Sequence, residues 1–138
     1  MFVKQLTIFV ENKFGKVADI LDVLGQNHID IRALSIADTS EYGLMRMIVS
    51  DPSAAKNVLR ESGVIVKITE AIAIPLDHTP GGLSSVMQIL KEGGISVNYL
   101  YAFTGNAEAG AVVVMKTDKP EETMMILSQN GIKPLGNV

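Results

Sequence analysis

The chain repeats itself at an offset of 66 residues, the separation of Gly15 and Gly81. In each copy an alternating apolar segment is followed by a glycine and then by four apolar residues spaced i, i+3, i+4 and i+7, the spacing of one helix face. This pattern predicts one supersecondary unit that occurs twice. The matched pairs are Leu6 with Ile72, Ile8 with Ile74, Val10 with Leu76, Gly15 with Gly81, Val17 with Leu83, Ile20 with Val86, Leu21 with Met87, Leu24 with Leu90, Ile29 with Ile95 and Ile31 with Val97.

The repeat continues beyond these positions, with small insertions that shift its register. The later matched pairs are Gly43 with Gly110, Asp51 with Asp118 and Gly63 with Gly131. We therefore divide the chain into domains at residues 1–69 and 70–138. Because only Thr69 and Glu70 separate the copies, no flexible tether is available, and we expect the two units to pack side by side.

Each copy is predicted to form strand, helix, strand, strand, helix and strand. The predicted strands are residues 3–10, 29–37, 44–49 and 64–68, then 71–76, 95–103, 110–116 and 132–135. The predicted helices are residues 17–26, 82–92 and 119–129, and one that begins with Asp51 and Pro52 and ends at Gly63. Pro75 and Pro134 require their strands to be edges, bulged or short. The order is the ferredoxin-like βαββαβ plan, an α+β fold of antiparallel sheets with helices on one face.

Composition excludes several classes of function. With 12 Lys and Arg against 15 Asp and Glu, the net charge is -3, which provides no basic surface for nucleic acid. The absence of cysteine excludes disulfides, thiolate nucleophiles and zinc ribbons. No apolar run approaches the roughly 18 residues of a membrane-spanning helix, and residues 1–10 lack the features of a signal peptide. We therefore expect a cytoplasmic protein that binds no nucleic acid, membrane, metal or cofactor.

The loop after the first strand of each copy carries the clearest functional signal. Residues 11–16 and 77–82 both contain glycine and both lead into a helix. Glycine lets the backbone approach a ligand closely, and the free amides of a helix's first turn can bind a carboxylate or phosphate. In the alternative interpretation, Gly15 and Gly81 only permit the turn, and Asn12 and Asp77 only cap the helices.

The two copies resemble ACT domains over essentially the whole chain. The shared pattern is a polar residue, variable positions, glycine, a helix and a second strand that opens with Ile-x-Ile or Ile-x-Val. ACT domains are regulatory modules that bind small molecules, most often amino acids, at interfaces between paired units. The residues that carry the resemblance are Glu11-Asn12-Lys13-Phe14-Gly15-Lys16-Val17-Ala18 with Ile29-Asp30-Ile31, and Asp77-His78-Thr79-Pro80-Gly81-Gly82-Leu83 with Ile95-Ser96-Val97-Asn98.

The resemblance implies a non-catalytic, allosteric pair of ACT domains that senses a free amino acid. It also implies a metabolic enzyme as a regulated partner. We expect a homodimer because the paired units leave sheet edges and one face uncovered. Loop residues would meet the ligand's carboxylate or ammonium, and second-strand residues would face the same cleft. The implied ligand-binding residues are Asn12, Lys13, Phe14, Gly15, Asp30 and Arg32, and in the second copy His78, Thr79, Pro80, Gly81, Gly82, Leu83, Ser96 and Asn98.

Two other classes of function stay open at this point. In the first, the chain is a regulatory subunit or a small enzyme of amino-acid metabolism, with Asp77, His78 and Asp30 as acid-base groups. In the second, it is an oligomerisation module that needs no ligand. Stabilisation by one or two amino acids would support a sensor, no response to any would favour the oligomerisation module, and turnover abolished by His78→Ala would favour an enzyme.

Overall fold

The computed structural model describes residues 1–38, 41–77, 79–104 and 110–138. Ten elements occur in chain order: β1 (Val3–Glu11), α1 (Lys16–Gln26), β2 (Ile31–Asp38), β3 (Tyr42–Val49), α2 (Pro52–Glu61), β4 (Ile65–Leu76), α3 (Gly82–Glu92), β5 (Val97–Thr104), β6 (Ala111–Thr117) and α4 (Pro120–Gln129). The chain divides into two compact units. The N-terminal unit is Lys4–Glu70, and the C-terminal unit is Met1–Val3 with Ala71–Val138. Strand β4 contributes residues 65–70 to the first and 71–76 to the second.

Each unit has the predicted ferredoxin-like arrangement, so the α+β fold class is confirmed. In the N-terminal unit the strand order is β2-β3-β1-β4, with β3 antiparallel to both β1 and β2. In the C-terminal unit the order is β5-β6-β4, with β6 antiparallel to both neighbours. Helices α1 and α2 belong to the first unit, and α3 and α4 to the second.

The helices of the N-terminal unit cover one face of its sheet. Alternate residues of β1 point to that face, and their partners on β3 are methionines, as in the pairs Leu6 with Met47 and Ile8 with Met45. Helix α1 packs Ile20 and Leu24 against them. The core members contributed by the sheet and helices are Leu6, Ile8, Val10, Ile20, Leu24, Ile29, Met45, Met47, Val49, Ala55, Leu59 and Val66.

The C-terminal unit repeats this core with different side chains. Its buried members come from β4, α3, β6 and α4, and most occupy positions equivalent to those of the first core. They are Ile72, Ile74, Val86, Leu90, Ile95, Val113, Met115 and Leu127. Buried Thr117 and Thr123 place their hydroxyl oxygens 2.8 Å apart, which satisfies both groups inside the unit.

The offset between the two copies is 66 residues up to β2 and β5, and 68 residues after them. Gly43 pairs with Val10 whereas Ala111 pairs with Leu76, so Ala111 is the true counterpart of Gly43. The predicted match of Gly43 with Gly110 is therefore wrong by one residue. The cause is an insertion of two residues between β5 and β6. The match of Gly63 with Gly131 is confirmed, since both follow a helix with φ of 82° and 76°.

The predicted match of Asp51 with Asp118 is wrong for the same reason. Asp51 is the N-cap of α2, and Lys119 is the N-cap of α4. Asp118 instead accepts a hydrogen bond from the Ser96 amide at 2.9 Å, as Ser50 Oγ accepts one from the Asp30 amide at 3.0 Å.

The prolines explain where β4 and the chain's last segment stop pairing. Pro75 lies opposite Val112 of β6. The Ala73 carbonyl accepts from the Leu135 amide at 2.7 Å on the other side, and alternation directs the amide-less Pro75 nitrogen to that side too. The strand predicted for residues 132–135 is reduced to the single bridge between Ala73 and Leu135, because Pro75 has no amide to donate to the next residue pair of this ladder.

The two N-caps provide a direct test of helix capping. Asp51 Oδ1 accepts a hydrogen bond from the Ala54 amide at 3.0 Å. Lys119 has nearly the same backbone angles, φ -133° and ψ 77° against -137° and 92°, but its side chain makes no capping bond to the described residues. We expect Lys119→Asp to raise the free energy of unfolding by about 1 kcal/mol and Asp51→Ala to lower it by about as much.

Urea unfolding of the two variants measures this difference, with Lys119→Ala as the control that removes the lysine without adding an acceptor. That control should stay within a few tenths of a kcal/mol of the wild type, about the effect expected where no cap is lost. A Lys119→Asp variant no more stable than Lys119→Ala would contradict the capping interpretation.

Candidate functional site

The loops between the first strand and first helix of each unit have the same backbone hydrogen bonds. In the N-terminal unit the Lys13 amide donates to the Glu11 carbonyl at 2.7 Å, and the Lys16 amide donates to the Lys13 carbonyl at 3.3 Å. The equivalent bonds of the C-terminal unit run from Thr79 to Asp77 at 2.8 Å and from Gly82 to Thr79 at 3.1 Å. The two copies therefore share a specific hydrogen-bonded turn as well as a pattern of apolar residues.

Glycine is required at the end of both turns. Gly15 and Gly81 have φ of 81° and 85°, a region that side chains other than glycine rarely occupy. Both glycines are helix N-caps, and no side chain of the described residues caps either helix. The alternative in which Asn12 and Asp77 cap the helices is therefore wrong.

The first turns of α1 and α3 consequently present backbone amides. The first bond of the α-helical pattern is made by Asp19 to the Gly15 carbonyl, and its counterpart by Ser85 to the Gly81 carbonyl, both at 3.0 Å. Helix geometry leaves the preceding amides without an intrahelical acceptor. They are those of Val17 and Ala18 in α1 and of Leu83 and Ser84 in α3. Such amides favour an anionic group.

A cavity lies beside the loop in each unit. The N-terminal cavity has a volume of about 290 Å³ and the C-terminal cavity one of about 880 Å³. Each is bounded by the end of the unit's first strand, the first half of its first helix and the segment after its second helix. The lining residues of the first are Phe9, Val10, Glu11, Lys16, Asp19, Ile20, Val23, Tyr42, Ser62, Gly63, Val64 and Ile65. Those of the second are Pro75, Leu76, Asp77, Thr79, Pro80, Gly81, Gly82, Ser85, Val86, Ile89, Gly110, Gly131, Ile132 and Lys133.

The two cavities are equivalent by the repeat. Eleven of the twelve residues that line the first have their counterparts, at offsets of 66 or 68, among the residues that line the second. At four matched positions the second cavity carries a markedly smaller residue, whereas at Leu76, Ile89, Ile132 and Lys133 it carries a larger one. The four replacements by a smaller residue are Phe9 by Pro75, Lys16 by Gly82, Asp19 by Ser85 and Tyr42 by Gly110.

The predicted loop residues lie differently in the two units. Thr79, Pro80, Gly81 and Gly82 line the C-terminal cavity, and Leu83 lines a second cavity of about 430 Å³ beside the same loop. His78 lies outside the described residues. In the N-terminal unit Glu11 and Lys16 line the cavity, whereas the predicted residues between them do not. Those residues are Asn12, Lys13, Phe14 and Gly15.

The predicted second-strand residues lie away from the loop of their own unit. The Asp30 amide bonds to Ser50 just beyond one end of β3, whereas Glu11 pairs with Tyr42 at the other end. At about 3.4 Å per residue, β3 separates these ends by about 24 Å. Arg32 lies at the same end as Asp30, and the C-terminal unit places Ser96 and Asn98 in the equivalent way. Within a single unit, these residues and the loop do not form one cleft.

Sequence reasoning missed the cavity residues supplied by other elements. Ser85 lies one turn into α3, Gly110 immediately precedes β6, and Lys133 follows α4. Their counterparts in the first copy are Asp19, Tyr42 and Ile65, and the last two are matched only by the offset of 68 that the structure shows. Their convergence becomes visible only when the helices are placed on the sheet.

Two further properties bear on the chemistry of the site. Across the described ranges, no group of three or more His, Cys, Asp or Glu side chains is arranged to hold a metal ion. In the same part of the chain, no helix is long and apolar enough to cross a membrane.

Electrostatics distinguish the two loops. Lys13 Nζ lies 2.8 Å from a Glu11 carboxylate oxygen, and both side chains are largely exposed. The hydrogen bond from Lys13, together with its charge, holds the pKa of Glu11 below its ordinary value, and Glu11 raises the pKa of Lys13 in return. In the second loop Asp77 and Thr79 stand at these positions, so no lysine follows the acid.

This ion pair predicts a pH dependence of defined sign. Because the pKa of Glu11 is lowered, the pair's contribution to stability is present above the ordinary pKa of a glutamate and is lost as the pH falls through the lowered value. We expect Lys13→Ala to raise the pKa of Glu11, with little change in melting temperature because the pair is exposed.

An NMR titration of the Glu11 side-chain carboxyl carbon measures this pKa. Lys56→Ala is the control, since Lys56 does not contribute to the lowered pKa. An unchanged Glu11 pKa in Lys13→Ala would contradict the assigned cause.

Comparison with known proteins places the fold and the repeat in one family. A family model described as an ACT domain pair matches residues 1–135. The crystal structure of protein BT0572 from Bacteroides thetaiotaomicron is 33% identical, covers 98% of this chain and 92% of that chain, and has a TM-score of 0.90. The ligand-free regulatory subunit of aspartate kinase from Thermus thermophilus is 13% identical over 91% of this chain and 90% of that chain, with a TM-score of 0.62, which shows a shared fold alone. No curated protein matches the chain. The chain belongs to the ACT domain pair family, which is typically regulatory and ligand-binding.

Proposed function

We propose that this protein is a non-catalytic sensor that binds a free amino acid and regulates another protein in response. The observation that carries the proposal is the recurrence of one turn, one uncapped helix start and one adjoining cavity in both units. A turn needed only to reverse the chain would not require an equivalent cavity beside it in each copy. Membership of a regulatory, ligand-binding family supports the same conclusion.

The chemistry of the loops suits an amino acid. An α-carboxylate would accept hydrogen bonds from the amides at the start of a helix, where the helix dipole also favours negative charge. The ammonium would bind to a neighbouring carboxylate or backbone carbonyl. The candidate contacts are those implied by the resemblance: Asn12, Lys13, Phe14, Gly15, Asp30 and Arg32, and His78, Thr79, Pro80, Gly81, Gly82, Leu83, Ser96 and Asn98.

Regulation would follow from linkage between ligand binding and protein assembly. A ligand at 100 times its dissociation constant stabilises the binding-competent form by about 2.7 kcal/mol. This shift can bias a homodimer, or its complex with a metabolic enzyme, only as far as the ligand distinguishes between two states. We propose that this allosteric response takes place in the cytoplasm and that the protein itself catalyses no reaction.

A thermal-shift screen of the twenty amino acids tests the proposal. We expect one or two of them to raise the melting temperature by several degrees at saturating concentration, and the others to have no effect. The corresponding amino alcohols, which lack the carboxylate, should not stabilise the protein. Gly81→Val should remove the shift because it disturbs the turn that holds the amides.

The other readings give different results in the same screen. If no amino acid shifts the melting temperature, the proposal fails, and an oligomerisation module becomes the better interpretation. Turnover of an amino acid that His78→Ala abolishes would identify an enzyme instead.

A further inference from the structure

We infer that the C-terminal cavity, and not its N-terminal counterpart, binds the amino acid, and that the ligand is a zwitterion with an apolar side chain. This inference rests on the proposed function and specifies its site and its class of ligand. Asp77 would hold the ammonium and Lys133 the carboxylate, since both residues line this cavity. One amino acid would therefore bind to each chain.

Cavity volume favours the C-terminal unit. Sites for small molecules usually have volumes of about 300–1,000 Å³. The C-terminal cavity, at about 880 Å³, lies well inside this range, and the N-terminal cavity, at about 290 Å³, lies at its lower limit. Ser85 and Gly110 line the C-terminal cavity where the first copy has the larger Asp19 and Tyr42.

The charges also favour the C-terminal unit. Asp77 and Lys133 both line its cavity, and neither forms an ion pair within the described part of the chain. In the N-terminal unit, Glu11 occupies the position of Asp77 but is paired with Lys13 at 2.8 Å. Ile65 occupies the position of Lys133, so the N-terminal cavity has no positively charged residue at that position.

The N-terminal cavity does contain two charged side chains of its own. Lys16 and Asp19 line it, but they stand at the positions of Gly82 and Ser85. The N-terminal cavity is therefore the smaller of the two, and its charged groups stand at different positions from Asp77 and Lys133.

The apolar lining residues indicate the kind of side chain that the ligand carries. They are Leu76 at the end of β4, Val86 and Ile89 of α3, and Ile132 of the segment after α4. Apolar surface of this kind binds an alkyl group by excluding water from both. Branched aliphatic amino acids and methionine combine such a group with both charges.

Isothermal titration calorimetry with L-leucine, L-isoleucine, L-valine and L-methionine tests the inference on the full chain. We expect one binding site per chain for at least one of these probes. Asp77→Asn and Lys133→Gln should each weaken binding by about tenfold or more, because each removes a charged partner of the ligand. Glu11→Gln, the matched change in the first copy, should leave the affinity within about twofold.

Blocking variants separate the two cavities by shape. Ser85→Trp should abolish binding by filling the C-terminal cavity, whereas Asp19→Trp, the equivalent change in the N-terminal unit, should leave it intact. Ser85→Ala removes the hydrogen bond from Ser85 Oγ to the Gly81 carbonyl without filling the cavity, so it should lose less affinity than Ser85→Trp. Circular dichroism of each variant confirms that it is folded.

Ligand analogues assign the two charges. N-acetyl-L-leucine lacks the ammonium, so its affinity should be insensitive to Asp77→Asn, and L-leucine methyl ester lacks the carboxylate, so its affinity should be insensitive to Lys133→Gln. Two equal sites per chain, or binding lost in Asp19→Trp and kept in Ser85→Trp, would overturn the inference. So would binding of polar amino acids alone, which leaves the proposed function standing, whereas a wild-type protein that binds none of the twenty amino acids refutes both.

Discussion

The left-handed glycine that ends the first loop of each unit is the constraint on which the site depends. A φ of 81° at Gly15 and 85° at Gly81 lets the chain turn from a buried strand into a helix without a side-chain cap. A residue with a Cβ would be strained in that conformation. The same turn directs the first amides of the helix toward solvent and brings the helix alongside the end of the strand. The adjoining cavity follows from this placement.

The two units show how one backbone can carry two different sites. Their loops share hydrogen bonds residue by residue, and eleven of the twelve residues lining the smaller cavity have counterparts in the larger one, yet the volumes differ about threefold. The lining residues differ between the two cavities, as where Tyr42 is replaced by Gly110 and Ile65 by Lys133. Duplication of a unit, followed by changes at its cavity, would leave one copy free to contribute structure while the other binds ligand.

Much of the fold could be predicted from the sequence, because the spacing of apolar residues along the chain indicates strands and helices. Helix α3 was predicted at Gly82–Glu92, as observed, and Asp51 with Pro52 correctly marked the start of α2. The register after β5 could not be predicted, because a two-residue insertion in a polar loop can be placed at several positions. Thr69 and Glu70 were interpreted as the junction between the copies, but they lie within β4. The sequence of one strand does not show which neighbouring strands it forms hydrogen bonds with, so this continuity could not be predicted. The cavity depends on Ser85 and Lys133, 48 residues apart, and only packing brings them together.

Amide chemical shifts measured during titration with L-leucine, L-isoleucine, L-valine or L-methionine test most directly whether the C-terminal cavity is the binding site. The cavity's loop, helix and final segment should respond together, at residues 79–86 and 131–133. The equivalent residues 13–20 and 63–65 of the other unit should remain unchanged at saturation and serve as an internal reference. Shifts confined to the N-terminal unit, or equal shifts in both, would contradict a single site in the second copy.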